Sequence, residues 1–313
     1  MASDSCVSGA TITMPEIISF LEYLNLHDAL KACVEGTTHS QAHIKPLHRH
    51  FAMRLVIEGG FMPDEITPCP PFTYSYDRRK KENLLQWNES KGSKSERTVI
   101  GGVKTKQIDI VVTKPSIGPV MALSFKATQN AFRNLTNRME EAVGDCTNIH
   151  LRYPSLVYGF YHAIVASRGA QIGVHRFVRG ANDVSVGTDN LVVPQILRYI
   201  RAIEALSDRS SQWADPSGYE AIAVHMVESD PSIVGNSFAW TEEGESRLNR
   251  DRFLEKLLRI YDFRYPFMAE SMPETRRVEW SPRSPLFEHL LEKRGASLEE
   301  VLGYAARLSS ECV

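Results

Sequence analysis

Residues 104–141 read KTKQIDIVVTKPSIGPVMALSFKATQNAFRNLTNRMEE, and the alternation within them decides the architecture. Gln107, Asp109 and Val111 alternate with Ile108, Ile110 and Val112, which predicts a strand with one apolar face and an acid on the other. Lys114 to Pro119 is turn chemistry. Alternation resumes from Val120 to Lys126, with Met121, Leu123 and Phe125 on one face and Ala122, Ser124 and Lys126 on the other. A helix from about Asn130 to Leu151 follows, striped by Leu135, Met139, Ala142, Cys146 and Ile149. The stretch therefore predicts a β-hairpin and a helix. An acid lies on the first strand, a lysine ends the second, and the acids Glu140 and Glu141 sit on the helix.

Working outward, Leu156 to Ala166 is an apolar, aromatic and β-branched run, suited to a strand buried on both faces. The intervening helix makes a β-α-β crossover, which predicts parallel pairing with the 120–126 strand. Upstream, Pro46 to Glu58 reads as a helix striped by Leu47, Phe51 and Leu55 and closed by Gly59-Gly60. Glu58 returns almost to the azimuth of Leu47. An acid there, at a helix C-terminus where the dipole disfavours it, is either a frayed edge or a functional carboxylate. Residues 1–14 read as a polar tail and Pro15 to Val34 as an amphipathic helix. Residues 62–75, with four prolines, read as a stiff irregular connection. Residues 78–106 hold nine basic and three acidic side chains and read as a solvated basic loop able to grip a nucleic-acid backbone. Downstream, Val193–Leu206 and Arg250–Tyr261 read as helices, Tyr219–Glu228 as a strand, and Ser297–Ser309 as a short last helix.

The bulk numbers exclude more than they select. A chain of 313 residues, 42% hydrophobic and 24% charged, can bury a sizeable core. The five cysteines are scattered without a C-x-x-C pair, which argues against a disulfide framework or zinc finger and for a reducing cytoplasm. No apolar run is long enough to span a bilayer, and the N-terminal residues lack the pattern of a signal peptide. There is no Walker A loop, dinucleotide fingerprint or nucleophile elbow. His39, His43, His48 and His50 cluster, but no H-E-x-x-H motif forms from them. His150, at the edge of its helix stripe, reads as a core histidine, and Asp145, Asn148 and Arg152 fall where they can border a site on the same helix.

Hydrolysing a phosphodiester requires an activated water and neutralisation of charge on the phosphate, which carboxylate-held divalent metal supplies. Asp109 and Lys126 have that chemistry. The order helix, meander with an acid, strand ending in x-K, helix and strand, between about His43 and Ala166, resembles the PD-(D/E)XK nuclease family. Asp109 matches the family's first acid and Lys126 its lysine. Ile108 replaces the proline before the acid, and Ser124 stands where Asp or Glu is expected, which removes a metal ligand. The resemblance is nearest to Type II restriction endonucleases whose second acid has moved to the following helix. By that spacing Glu140 is the counterpart, with Glu141 adjacent, and Glu58 matches an extra first-helix acid.

The resemblance implies an α/β fold: a restriction-endonuclease-like mixed sheet flanked by helices, with a helical and mixed C-terminal extension. Its expected parts are an N-terminal helical segment (1–36), a nuclease core (37–170) and an extension packed on the same core (171–313). It implies a Mg2+-dependent endodeoxyribonuclease, with Mn2+ able to substitute, acting in restriction or anti-phage defence. Asp109 with Glu140 or Glu141 would hold the metal, and Lys126 would serve the water, assisted by Glu58 and the Ser124 hydroxyl. Arg78, Arg79, Lys80, Lys81, Lys104 and Lys106 would contact double-stranded DNA. A cytoplasmic homodimer is expected, with a cognate methyltransferase or defence partner. The alternatives are a nuclease-derived DNA-binding or assembly subunit whose site decayed at Ser124, and a zinc enzyme built on the histidine cluster.

Overall fold

The computed structural model describes residues 25–38, 41–93, 95–130, 132–209, 215–240, 246–268, 271–294 and 297–310. Helix α1 (Leu26–Glu35) begins at Asn25, whose side chain accepts from the His27 amide. The remainder of the helix expected from Pro15 lies outside the described residues. Helix α2 (Lys45–Ile57) has no side-chain N-cap bond. Its Leu47, Phe51 and Leu55 are buried as the stripe predicts. Burial of each such side chain is worth about 1.5–3 kcal/mol, against differences of at most about 0.7 kcal/mol per ordinary residue in helix propensity. Packing rather than propensity therefore holds α2. Past its end, Gly60 adopts φ +67°, and its amide donates to Val56 O, as a glycine stop requires.

Residues 62–106, expected to be irregular, contain much more structure. Strand β1 (Ile66–Thr67) is followed by the hairpin β2 (Phe72–Asp77) and β3 (Glu82–Trp87), and then by β4 (Arg97–Ile100) and β5 (Thr105–Ile108) as a second hairpin. Phe72, Leu85 and Trp87 supply the buried side of the first hairpin. Asp77 Oδ1 accepts from the Arg79 and Lys80 amides at its tip. The β4–β5 turn is held by Asn148, whose side chain accepts from the Val103 and Lys104 amides and donates to Lys104 O.

Strand β6 (Ile110–Lys114) pairs antiparallel with β7 (Gly118–Thr128). Helix α3 (Leu135–Arg152) then leads to β8 (Val157–Ala166), buried along its whole length and parallel to β7 as the crossover predicts. Helix α4 (Pro194–Glu204), β9 (Ala221–Glu228) and β10 (Ser237–Phe238) follow. The chain continues with α5 (Phe253–Asp262), α6 (Pro285–Arg294) and α7 (Leu298–Leu302). Gly303, at φ +73°, stops α7 far short of Ser309.

The result is a mixed α/β fold around a six-stranded sheet in the order β1-β6-β7-β8-β9-β10. Although β9 lies beyond residue 170, it pairs in parallel with β8 from Gly159–Ala221 to Ala166–Glu228, so one sheet runs across that boundary. Side chains of α1, α2, α5 and α6 share one core with Met121, Leu123 and Phe125. Those of α3 and α4 share the other with Ala122. Among the described residues no helix is long and apolar enough to cross a membrane.

One detail of the strand pattern is corrected. The expected continuous strand from Gln107 to Val112 breaks at Asp109, a bend between β5 and β6. Ile108 packs into the α3 core, whereas Ile110 and Val112 pack into the α2 core with Val111 opposite them. In an unbroken strand Ile108 and Ile110 would share a face. The bend therefore resets the register by one residue and presents Asp109 at the sheet margin, between the two helical layers.

Candidate functional site

Asp109, Ser124 and Lys126 do converge. They line a cleft of about 170 Å³ together with Gln41, Glu96, Lys106, Gln107, Asp145 and the buried rings of Phe160 and Tyr219. That is smaller than the roughly 300–1,000 Å³ of a whole small-molecule site, and leaves room for a small polar group with ions or water. A larger cavity of about 450 Å³ lies beside α5, lined by Asp208, Arg247, Arg252, Lys256 and Arg259. Asp208 there pairs with both Lys256 and Arg247.

Asp109 is fixed from β7: the Phe125 amide donates to its Oδ2 at 2.7 Å. Burial nonetheless pushes its carboxyl up to about 6, against the pull of that hydrogen bond and of Lys126 and Lys106. Glu96, on the approach to β4, is raised by burial and by the Asp109 charge. From α2, His48 brings Nε2 to 3.7 Å from Asp109 Oδ1 and Nδ1 to 3.9 Å from Glu96 Oε1. Burial, followed by the charges of His43, Lys45 and Lys126, lowers the His48 ring to about 3, so it is neutral. One donor atom each from His48, Glu96 and Asp109 lies within 4.8 Å of the others. A small side-chain rotation brings such a set to the span of one ion's ligands, so these residues fit a divalent metal.

The basic groups approach from the other layer. Lys126 Nζ stands 3.2 Å from Glu141 Oε1, and Arg138 holds the other Glu141 oxygen at 3.1 Å. Burial pushes Glu141 up, but the Lys126 charge and the hydrogen bonds of both cations hold it below the ordinary carboxylate range. Lys106 Nζ is 2.5 Å from Asp145 Oδ2. Ser124 Oγ lies 2.8 Å from the Tyr158 hydroxyl, which engages it within the core.

Several expectations are corrected here. Glu140 is exposed and does not line the cleft; of the adjacent pair, Glu141 turns to Lys126. Glu58 sits ten residues along α2 from His48, some 15 Å at the helical rise, and pairs with Arg54 at 2.6 Å. Burial raises Glu58 despite Arg54; it is a satisfied acid far from the cleft, and its helix contributes His48 instead. Lys106 belongs to the cleft rather than to an outer surface. Lys104 is exposed on the β4–β5 turn, and Arg78, Arg79, Lys80 and Lys81 are exposed at the β2–β3 tip. Of the histidine cluster, His39 lies outside the described residues, His43 is buried, and His50 packs edge-on to the Tyr304 ring. His150 is a buried core histidine near Leu156 O and Glu220.

Sequence reasoning gives no role to Glu96, places His48 only in a histidine cluster and not beside Asp109, and leaves Asp145 undecided. Glu96 is camouflaged in a basic run. The signal for His48 was available: it precedes Phe51 by three residues and so shares the apolar face that packs on Phe125, where a polar ring needs a reason. No protein-family model matches this chain, and no curated protein or solved structure matches it at a significant level.

Proposed function

We propose that this chain is a metal-dependent endonuclease of the restriction or defence kind, hydrolysing DNA phosphodiester bonds on a restriction-endonuclease-like core. The observation that carries this reading is a cleft lined by Glu96, Asp109, Lys106 and Lys126, in which the two acids form a ligand set with the buried His48. The order α2, hairpins, β7 ending at Lys126, α3 and parallel β8 supports it, because that order is the one the PD-(D/E)XK resemblance implies.

A divalent ion bound by these ligands would polarise the phosphate and acidify a water. The chain's own groups do the rest. Asp109, pinned by the Phe125 amide, orients the ligand set. Lys126 reaches the cleft with an amine that can position the attacking water. Lys106 and Lys126 place positive charge where negative charge grows on the phosphate oxygens, and the buried walls strengthen that attraction. The exposed β2–β3 tip offers four cations to the backbone of double-stranded DNA. Cutting both strands calls for two such clefts, hence a two-fold dimer.

The reading is tested with supercoiled plasmid in Mg2+ or Mn2+. Wild type is expected to nick or linearise it, and Lys126→Ala to lose at least about 100-fold in rate while keeping its DNA affinity. A second reading, a nuclease-derived binding subunit, draws on Ser124 standing in place of an acid and on Lys126 being paired with Glu141. Wild type that binds DNA but cuts with neither ion would decide for it.

A further inference from the structure

We propose that the cleft is built for a first-row transition ion, Mn2+ before Mg2+, because His48 supplies a nitrogen ligand beside the carboxylates of Glu96 and Asp109. This rests on the cleft being a metal site, and not on its being a nuclease.

His48 is only 5% exposed, yet its Nε2 has no hydrogen-bond partner among the described residues. A buried polar atom left so is costly, because it gives up its bond to water and gains none in return. The ring had an alternative. Two carboxylates face it, and a closer approach would have let the one N–H of the neutral ring make a charge-assisted hydrogen bond to either of them. Instead the separations are 3.7 and 3.9 Å, beyond hydrogen-bond range. The ring is held there by packing, tilted against Phe125 with centroids 5.1 Å apart. Glu96 and Asp109 likewise face one another, each with a carboxylate oxygen within 4.8 Å of the other's and of a His48 nitrogen. Three donors therefore surround a gap that none of them closes, which is the arrangement a cation completes.

The ligand chemistry then selects the ion. Mg2+ takes oxygen ligands in near-ideal octahedra, keeps several waters and sheds them reluctantly. An imidazole nitrogen adds little for it, and much for the later divalent ions, whose affinity for a given site rises from Mn2+ to Cu2+ and stays above that of Mn2+ at Zn2+. Two carboxylates keep the site hard enough for Mn2+, which also suits phosphate chemistry.

The test is titration calorimetry on the full chain without nucleic acid, using Mn2+, Zn2+ and Mg2+ separately. Wild type is expected to bind Mn2+ at least tenfold more tightly than Mg2+, and Zn2+ more tightly still. His48→Ala should bring Mn2+ and Mg2+ to within about threefold, and His48→Asp should favour Mg2+. Pulsed electron paramagnetic resonance of the wild-type Mn2+ complex should show coupling to an imidazole nitrogen. That last measurement needs no variant, and so decides the matter even where His48→Ala fails to fold. Equal affinity for Mn2+ and Mg2+, or a Mn2+ signal without nitrogen coupling, overturns the proposal. A protein that shows the coupling but cuts nothing overturns only the nuclease reading. One that cuts with Mg2+ and lacks the coupling overturns only this inference.

Discussion

At the scale of single residues, Asp109 illustrates how a site stores cost in a fold. Its carboxylate is largely buried beside Glu96 and a neutral His48, and burial raises it to about 6. The sign matters. A carboxyl raised above its unfolded value holds its proton longer in the folded protein. The fold therefore loses stability as pH rises from about 4 to 6, and that loss persists at neutral pH. Asp109→Asn removes the charge while keeping the shape and an acceptor for the Phe125 amide. The metal-free variant is expected to be more stable than wild type at pH 7.5 by about 1–2 kcal/mol, read as a higher urea midpoint, while divalent-ion binding is abolished. A midpoint at or below that of wild type would mean that Asp109 is not a charge under strain.

At the scale of elements, the β2–β3 hairpin gives the protein its most concentrated positive charge outside the cleft. Arg78, Arg79, Lys80 and Lys81 are consecutive and exposed at its tip, and the turn is set by Asp77 rather than by any of the four. Changing all four to Ser should therefore leave the hairpin folded. If they neutralise phosphates, the slope of log affinity for DNA against log salt should become shallower by about 0.9 for each phosphate no longer neutralised. An unchanged slope would place the DNA elsewhere. That hairpin is also where sequence reasoning stopped short. The elements flanking the cleft were legible because each carries its own period: β7 alternates, α3 is striped, and β8 is apolar on both faces. The two hairpins alternate too, but prolines and like charges before and within them mask it, and half of each faces water. The bend at Asp109 was illegible for another reason. An alternating run continues in the sequence whether or not the backbone slips by one residue, and only the packing of Ile108 against one core and Ile110 against the other reveals the slip. Of the site, Asp109 and Lys126 were readable from strand faces. His48 and Glu96 come from other elements, and only tertiary packing brings them in.

At the scale of the whole molecule, one buried carboxylate connects segments that the sequence divides. Glu220, just before β9, is fully buried. Arg209 and Arg264 each reach its Oε1 at 2.7 Å, the Tyr158 amide donates to Oε2 at 2.6 Å, and His150 lies 3.6 Å away. Those partners come from the segment after α4, the turn after α5, the start of β8, and α3. Tyr158 in turn meets Ser124 at the cleft wall, so the network backs the site as well as tying both sides of residue 170 together. Replacing every member by apolar groups would cost little, but removing one charge strands the others, at about 3–5 kcal/mol. That is a large share of the roughly 5–15 kcal/mol that holds a domain. Burial pushes Glu220 up, yet the nearby His150 ring and the Arg264 charge outweigh it, so the carboxyl lies below its ordinary 4.5. A depressed carboxyl contributes stability that is fully present above the unfolded value and is lost as pH falls through the folded one. Glu220→Gln keeps the shape and discards the charge. It should cost about 3–5 kcal/mol at pH 7, and its stability should fall less steeply than that of wild type as pH drops below about 4.5. Urea unfolding of both proteins from pH 7 to pH 3 measures this directly. Parallel curves, with no convergence at acid pH, would mean that the Glu220 carboxyl takes up its proton at the same pH in the folded and unfolded chains, and so is not held ionised by its buried partners.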